Sequence, residues 1–76
     1  MTYIPMSFWH NTKRVDFIND NLLYVGEARA GSLTSAAVWQ IRKVTIGTDG
    51  DIEEIFADGS ADYTKIWDNR TSLTYS

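Results

Sequence analysis

The groups with which this chain of 76 residues could do chemistry are ten carboxylates, seven cationic side chains and one histidine, with no cysteine. The densest acidic set is Asp49, Asp51, Glu53 and Glu54, which has the oxygen ligands of a cation loop but not its frame. An EF-hand loop needs a glycine at its sixth position and a glutamate at its twelfth. Here Gly50 directly follows the first aspartate, and no glutamate stands in the closing position. Asp-Gly between two apolar runs reads instead as a hairpin turn of type I′, with a solvated acidic return strand. Asp58, Asp62 and Asp68 could supply the carboxylate pair of a hydrolase, but aspartates gather in turns and at helix starts for structural reasons. His10 alone titrates near neutral pH, and it sits in an aromatic stretch with no acid or base beside it. No phosphate loop, nucleophile elbow or dinucleotide fingerprint occurs. Asn69-Arg70-Thr71 matches a glycosylation acceptor, a motif that matters only in a secreted chain. Trp39 and Trp67 could stack on bases or sugars; beside Ile41 and Ile66 they read as core. No catalytic residue, metal-ligand set or cofactor site emerges, and the expectation is a protein that is not an enzyme.

The elements that must position these groups belong to one small domain. A domain of this length buries only roughly 60% of the surface of its unfolded chain, so small scaffolds lean on disulfides, a metal or a partner. The absence of cysteine removes the first, a lone histidine argues against the second, and a partner chain is left. The apolar share of 43% and aromatic share of 13% are those of a folding chain. A net charge of −3, with basic residues scattered apart from Lys13-Arg14 and Arg42-Lys43, argues against binding nucleic acid or an anionic membrane. No apolar run approaches the roughly 20 residues of a membrane span. The first residues lack the basic-then-apolar layout of a signal peptide, so the expectation is a protein used without export.

Along the chain, residues 1–12 read as an extended aromatic arm: Tyr3, Ile4, Met6, Phe8 and Trp9 follow no period, and Pro5 forbids a regular strand or helix interior. Residues 13–76 read as a single β-rich domain. Arg14 to Ile18 is a short strand, Asn19-Asp20-Asn21 a turn, and Leu22 to Val25 a second strand with Gly26 near its end. Glu27 to Ser35 reads as a loop tipped by Gly31. Residues 37–46 form the strongest strand. Trp39 and Ile41 have one parity and Val44 and Ile46 the other, which implies a bulge or a strand that changes the face it buries. A helix aligning Val38, Ile41 and Val44 is the alternative, and the β-branched Val44-Thr45-Ile46 ending favours a strand. Residues 52–57 return from the Asp49-Gly50 turn with Ile52 and Phe56 on one face, and residues 57–60 turn again. Tyr63, Ile66, Trp67 and Arg70 then fall on one stripe of a short helix over 61–70, capped by Ser60 or Asp62. The expected fold is mostly β: a small antiparallel sheet or barrel with one short C-terminal helix, and a core of Trp39, Ile41, Phe56, Ile66 and Trp67.

The runs Tyr24-Val25-Gly26-Glu27-Ala28, Gly31 to Ala36 and Trp39 to Val44 resemble segments of small tailed-bacteriophage proteins. So does the ending Phe56-Ala57-Asp58-Gly59, Tyr63, Ile66 to Arg70 and Leu73-Thr74-Tyr75-Ser76. The resemblance covers residues 24–76 and not the arm. It implies a virion-associated structural protein, present in many copies or as a homo-oligomer, whose partners are coat, neck or tail subunits, with no nucleic acid, membrane or cofactor involved. Large aromatics give small interfaces their affinity, so Tyr3, Ile4, Phe8, Trp9, Leu73 and Tyr75 are the candidate partner-binding residues, and an unpaired sheet edge could extend a neighbour's sheet. Two readings from other classes stand beside this one: a soluble phage effector that inhibits a host protein, and a fibre-associated sugar-binding module with an exposed tryptophan.

Overall fold

A computed structural model of the chain describes residues 10–76. Four strands form an antiparallel meander in sequence order: β1 (Asn11–Asn19), β2 (Leu22–Arg29), β3 (Ala37–Ile46) and β4 (Ile52–Phe56). A two-residue strand, β5 (Lys65–Ile66), pairs with the start of β3, and a 3-10 helix, Trp67–Ser72, follows it. The sheet is open, not a closed barrel. β1 begins at Asn11, two residues inside the stretch read as arm. β2 runs on through Glu27, Ala28 and Arg29, so Gly26 lies within a strand and the loop is confined to residues 30–36.

The register assigns the two faces. Opposite one another on the first are Arg14, Gly26 and Ile41, then Asp16, Tyr24, Lys43 and Ile55. On the second are Val15, Val25, Arg42 and Phe56, then Phe17, Leu23, Val44 and Glu54. The C-terminal segment covers the first face. Tyr24, Ala28, Trp39, Ile41, Ala57 and Trp67 form its buried core, with Leu73 and Tyr75 packed against it. Trp67 is laid on the sheet over Gly26: a Cβ on that glycine would stand 2.5 Å from Trp67 Cζ3 and 3.2 Å from Trp39 Cε3. The two indole rings tilt against each other at 5.8 Å, and Trp39 Nε1 donates to the Leu33 carbonyl at 3.0 Å. Arg70 fastens the segment, donating from Nε to Asp16 Oδ2 at 2.9 Å while its guanidinium lies 4.7 Å from the centre of the Trp67 ring.

Three expectations need correction. The helix over 61–70 is not α-helical: Lys65 and Ile66 extend as β5 and only Trp67–Ser72 coil, as a 3-10 turn. Residues 62–72 are dominated by Asp, Asn, Thr, Ser and aromatic or β-branched side chains, which are poor helix formers. The type I′ turn falls at the other Asp-Gly. Ser60 N donates to Ala57 O at 3.1 Å, with φ 55° at Asp58 and 65° at Gly59. The loop from Gly47 to Asp51 is longer, and only Gly50 has positive φ there. Phe56 and Ile66, expected in the core, are half-buried. Strand β3 keeps its register with β2 and buries Trp39 and Ile41 on one face and Val44 on the other, so it does change the face it buries.

Candidate interaction surface

The second face has no covering layer among the described residues. Its middle holds Leu23, Val25, Val44 and Ile46, and its margins Val15, Phe17 and Ile52, exposed by 48%, 69% and 63%. Antiparallel sheets commonly bury one face and hydrate the other, but the hydrated face is then polar. Here the alternation places apolar side chains on both.

Charge crosses this open face in a definite order. Lys13 on β1 lies 3.6 Å from Glu27 on β2, Glu27 lies 3.7 Å from Arg42 on β3, and Arg42 lies 3.5 Å from Glu54 on β4. Each strand supplies one member and the signs alternate, so the row ends in a cation at the β1 edge and an anion at the β4 edge. Exposed pairs of this kind contribute about 0.2–1 kcal/mol each, so the row matters for orientation more than for stability. Arg42 is its most enclosed member, and its Nε and Nη2 are buried without hydrogen bonds. Buried guanidinium donors are costly to leave unmade.

Among the described residues both edges lack a further strand: β1 pairs with β2 and β4 with β3, and at the end of β4 Ser76 N donates to Phe56 O at 3.1 Å beside the Ala57–Tyr75 bridge. Lys13, Arg14 and Val15 on β1 are exposed, as are Ile52, Glu53 and Glu54 on β4.

Of the expected partner-binding residues, Tyr3, Ile4, Phe8 and Trp9 lie outside the described residues. Leu73 and Tyr75 pack on the chain's own core; Tyr75 stands 5.5 Å from the Tyr24 ring and donates its hydroxyl to Arg70 O at 2.7 Å. Burial, with the neighbouring Tyr24 as a lesser cause, pushes the Tyr75 phenol well above its ordinary value. Trp39 and Trp67 are 0% and 4% exposed, so neither offers a platform for a sugar ring. Asp49 spends a carboxylate oxygen on the backbone N–H of Asp51 at 3.0 Å. Asp58 pairs with Lys65 at 3.7 Å. His10 is exposed at the head of β1. Among the described residues no group of three or more His, Asp or Glu side chains is placed to hold a metal ion, and no helix is long and apolar enough to cross a membrane. A groove of about 570 Å³ near the head of β1 is lined by Asn11, Arg29, Ser32, Val38 and Tyr63, with no carboxylate or imidazole among them. Sequence does not join Lys13, Glu27, Arg42 and Glu54 into one row; the one available signal is that all four have the parity of the second face of their strands. The chain matches no family model, no curated protein and no solved structure.

Proposed function

We propose that this chain is a non-enzymatic structural subunit of a tailed-phage particle, which binds neighbouring coat, neck or tail subunits through its N-terminal arm and the edge of its sheet. The phage setting comes from the resemblance of residues 24–76. The observation that carries the binding role is the open face: a four-stranded sheet with exposed Val15, Phe17 and Ile52 at its margins and, among the described residues, a covering layer on the other side only. Solvent-exposed apolar clusters on small domains are characteristic of association surfaces, and a domain with so small a core gains stability from whatever binds its folded form. An N-terminal arm with five large apolar residues, Tyr3, Ile4, Met6, Phe8 and Trp9, adds a second contact.

Mass spectrometry of purified particles of the phage that encodes the chain tests this reading, with copy number calibrated against the major coat protein. A fixed stoichiometry is expected; a high ratio assigns the shell and a low one the neck or tail. Absence from the particle overturns the structural role and makes an effector of a host protein the better reading.

A further inference from the structure

We infer that copies of this chain join head to tail, β4 of one copy adding to β1 of the next and continuing both the sheet and its charge row. This rests on the subunit reading above and names the partner of the sheet edge as a second copy of the chain.

Topology permits it. A meander with an even number of strands leaves its two edges running in opposite directions, so a neighbour in the same orientation presents an edge that is antiparallel to the first. The backbone then selects a register. Ala30 N donates to His10 O at 3.0 Å. Antiparallel alternation therefore turns the polar groups of Thr12, Arg14 and Asp16 towards β2 and those of Lys13 and Val15 outward. Ala57 N donates to Ile41 O at 2.9 Å, so Ile55 and Glu53 point to β3 while Ile52 and Glu54 point outward. Setting Lys13 opposite Glu54 of the next copy satisfies these outward groups. It also sets Arg14 opposite Glu53 on the covered face and Val15 opposite Ile52 on the open face.

In this register both cations of β1 meet both glutamates of β4, and two exposed apolar side chains meet each other. Opposed charges and apolar pairs are the cross-strand combinations that stabilise a sheet. A slip of two residues in one direction sets Asp16 against Glu53 and Val15 against Glu54; a slip in the other sets Lys13 against Ile52 and Val15 against Gly50. Asp16 does stand opposite Asp51 in the chosen register, but it is already held by Arg70 at 2.9 Å. The intramolecular row Lys13–Glu27–Arg42–Glu54 passes into that of the next copy with its alternation unbroken. The pairing stops short of Phe56 and Ala57 of the neighbour, where its own Ser76 N–H and Tyr75 occupy the edge. Such an interface is heterologous, so it produces rings where the rotation closes and filaments where it does not.

Cysteine pairs test it on the full chain, which has no cysteine of its own. Val15→Cys with Ile52→Cys places the two thiols on opposite edges of one sheet, too far apart for an internal disulfide, and next to each other only across the proposed contact. Oxidation is expected to give a ladder of covalent dimers, trimers and larger species on a non-reducing gel. Charge exchange gives the independent readout by sedimentation of the cysteine-free chain. Lys13→Glu or Glu54→Lys alone weakens self-association about tenfold, and a one-to-one mixture of the two variants restores it, because each then offers the edge that the other needs. Circular dichroism establishes that each variant is folded. A ladder that stops at dimers, a monomeric wild-type chain, or a mixture no more associated than its components overturns the head-to-tail contact. These outcomes are separate from particle content: a chain found in particles yet monomeric in solution retains the structural role and loses this interface. A chain that ladders but is absent from particles does the reverse.

Discussion

Replacing Gly26 with alanine tests the central packing claim, that Trp67 lies flat against a strand from which the side chain has been removed. The added methyl carbon would stand 2.5 Å from Trp67 Cζ3 and 3.2 Å from Trp39 Cε3, and both rings are almost wholly buried. Neither ring can give way freely. Trp39 is tied to Leu33 O through its indole N–H, and Trp67 is covered by the Arg70 guanidinium, which is itself bonded to Asp16. Overpacking a site of this kind costs about 1–3 kcal/mol. Against this, alanine loses less backbone entropy on folding than glycine, a gain of about 0.4–1 kcal/mol. The net loss is about 1–2 kcal/mol, which for a domain of this size lowers Tm by about 5–15 °C. Thermal and urea unfolding followed by circular dichroism measure it directly. A double-mutant cycle with Trp67→Leu separates this clash from a general intolerance of alanine in β2: with that indole gone, most of the loss from Gly26→Ala should disappear, leaving only the looser contact with Trp39. A Tm for Gly26→Ala within about 2 °C of wild type, or an equal loss in both backgrounds, would refute the account.

Two further outcomes follow from single residues. Because burial holds the Tyr75 phenol in its protonated form while an unfolded tyrosine ionises near pH ~10, the unfolded chain releases that proton first. The stability contributed is therefore complete below about pH 10 and falls as pH rises above it. Tyr75→Phe should lose about 1 kcal/mol at neutral pH with the bond to Arg70 O and show a flatter alkaline loss than wild type in urea titrations. Asp58, at φ 55°, occupies a conformation that costs alanine about 1–2 kcal/mol and glycine almost nothing. Asp58→Ala should thus be destabilised by about 1 kcal/mol relative to Asp58→Gly in the same titration, and equal stabilities would count against the left-handed assignment.

How much of this was legible depends on the range of the interaction that decides each feature. Strand β3 and the return of β4 are written in local β-branched runs, and the change of parity between Ile41 and Val44 correctly signalled that both faces of β3 are apolar. The two Asp-Gly dipeptides look alike locally. What separates them is the distance between the strand ends: five residues lie between Ile46 and Ile52, so that loop has no need of paired positive φ angles, whereas Ala57 and Ser60 close directly on each other. The stripe of Tyr63, Ile66, Trp67 and Arg70 has helical spacing, yet pairing of Ala37 with Ile66 and Trp39 with Lys65 overrides it. Gly26 looked like punctuation because its function depends on a ring that is far along the chain. The charge row was hidden for the same reason, since its four members become neighbours only through three strand registers.

The edge charges bear on why association should be selective. A sheet whose two edges have no further strand among the described residues can pair like with like as well as head to tail, and natural sheets manage that hazard with charges on the edge strands. Two β1 strands brought together would oppose the Lys13-Arg14 cations, and two β4 strands would oppose Glu53 and Glu54. Each like pairing is repulsive, and the mixed one is attractive in a register that the backbone also accepts. The C-terminal residues sharpen the choice, because the Ala57–Tyr75 bridge and the bond from Ser76 N occupy the end of β4, leaving an edge of about the length that Lys13 to Val15 can fill. Specificity in such a system comes as much from the contacts it penalises as from those it makes. In the proposed head-to-tail assembly, a basic edge and an acidic edge that each repel themselves would guard against indiscriminate stacking and leave one direction of contact favoured.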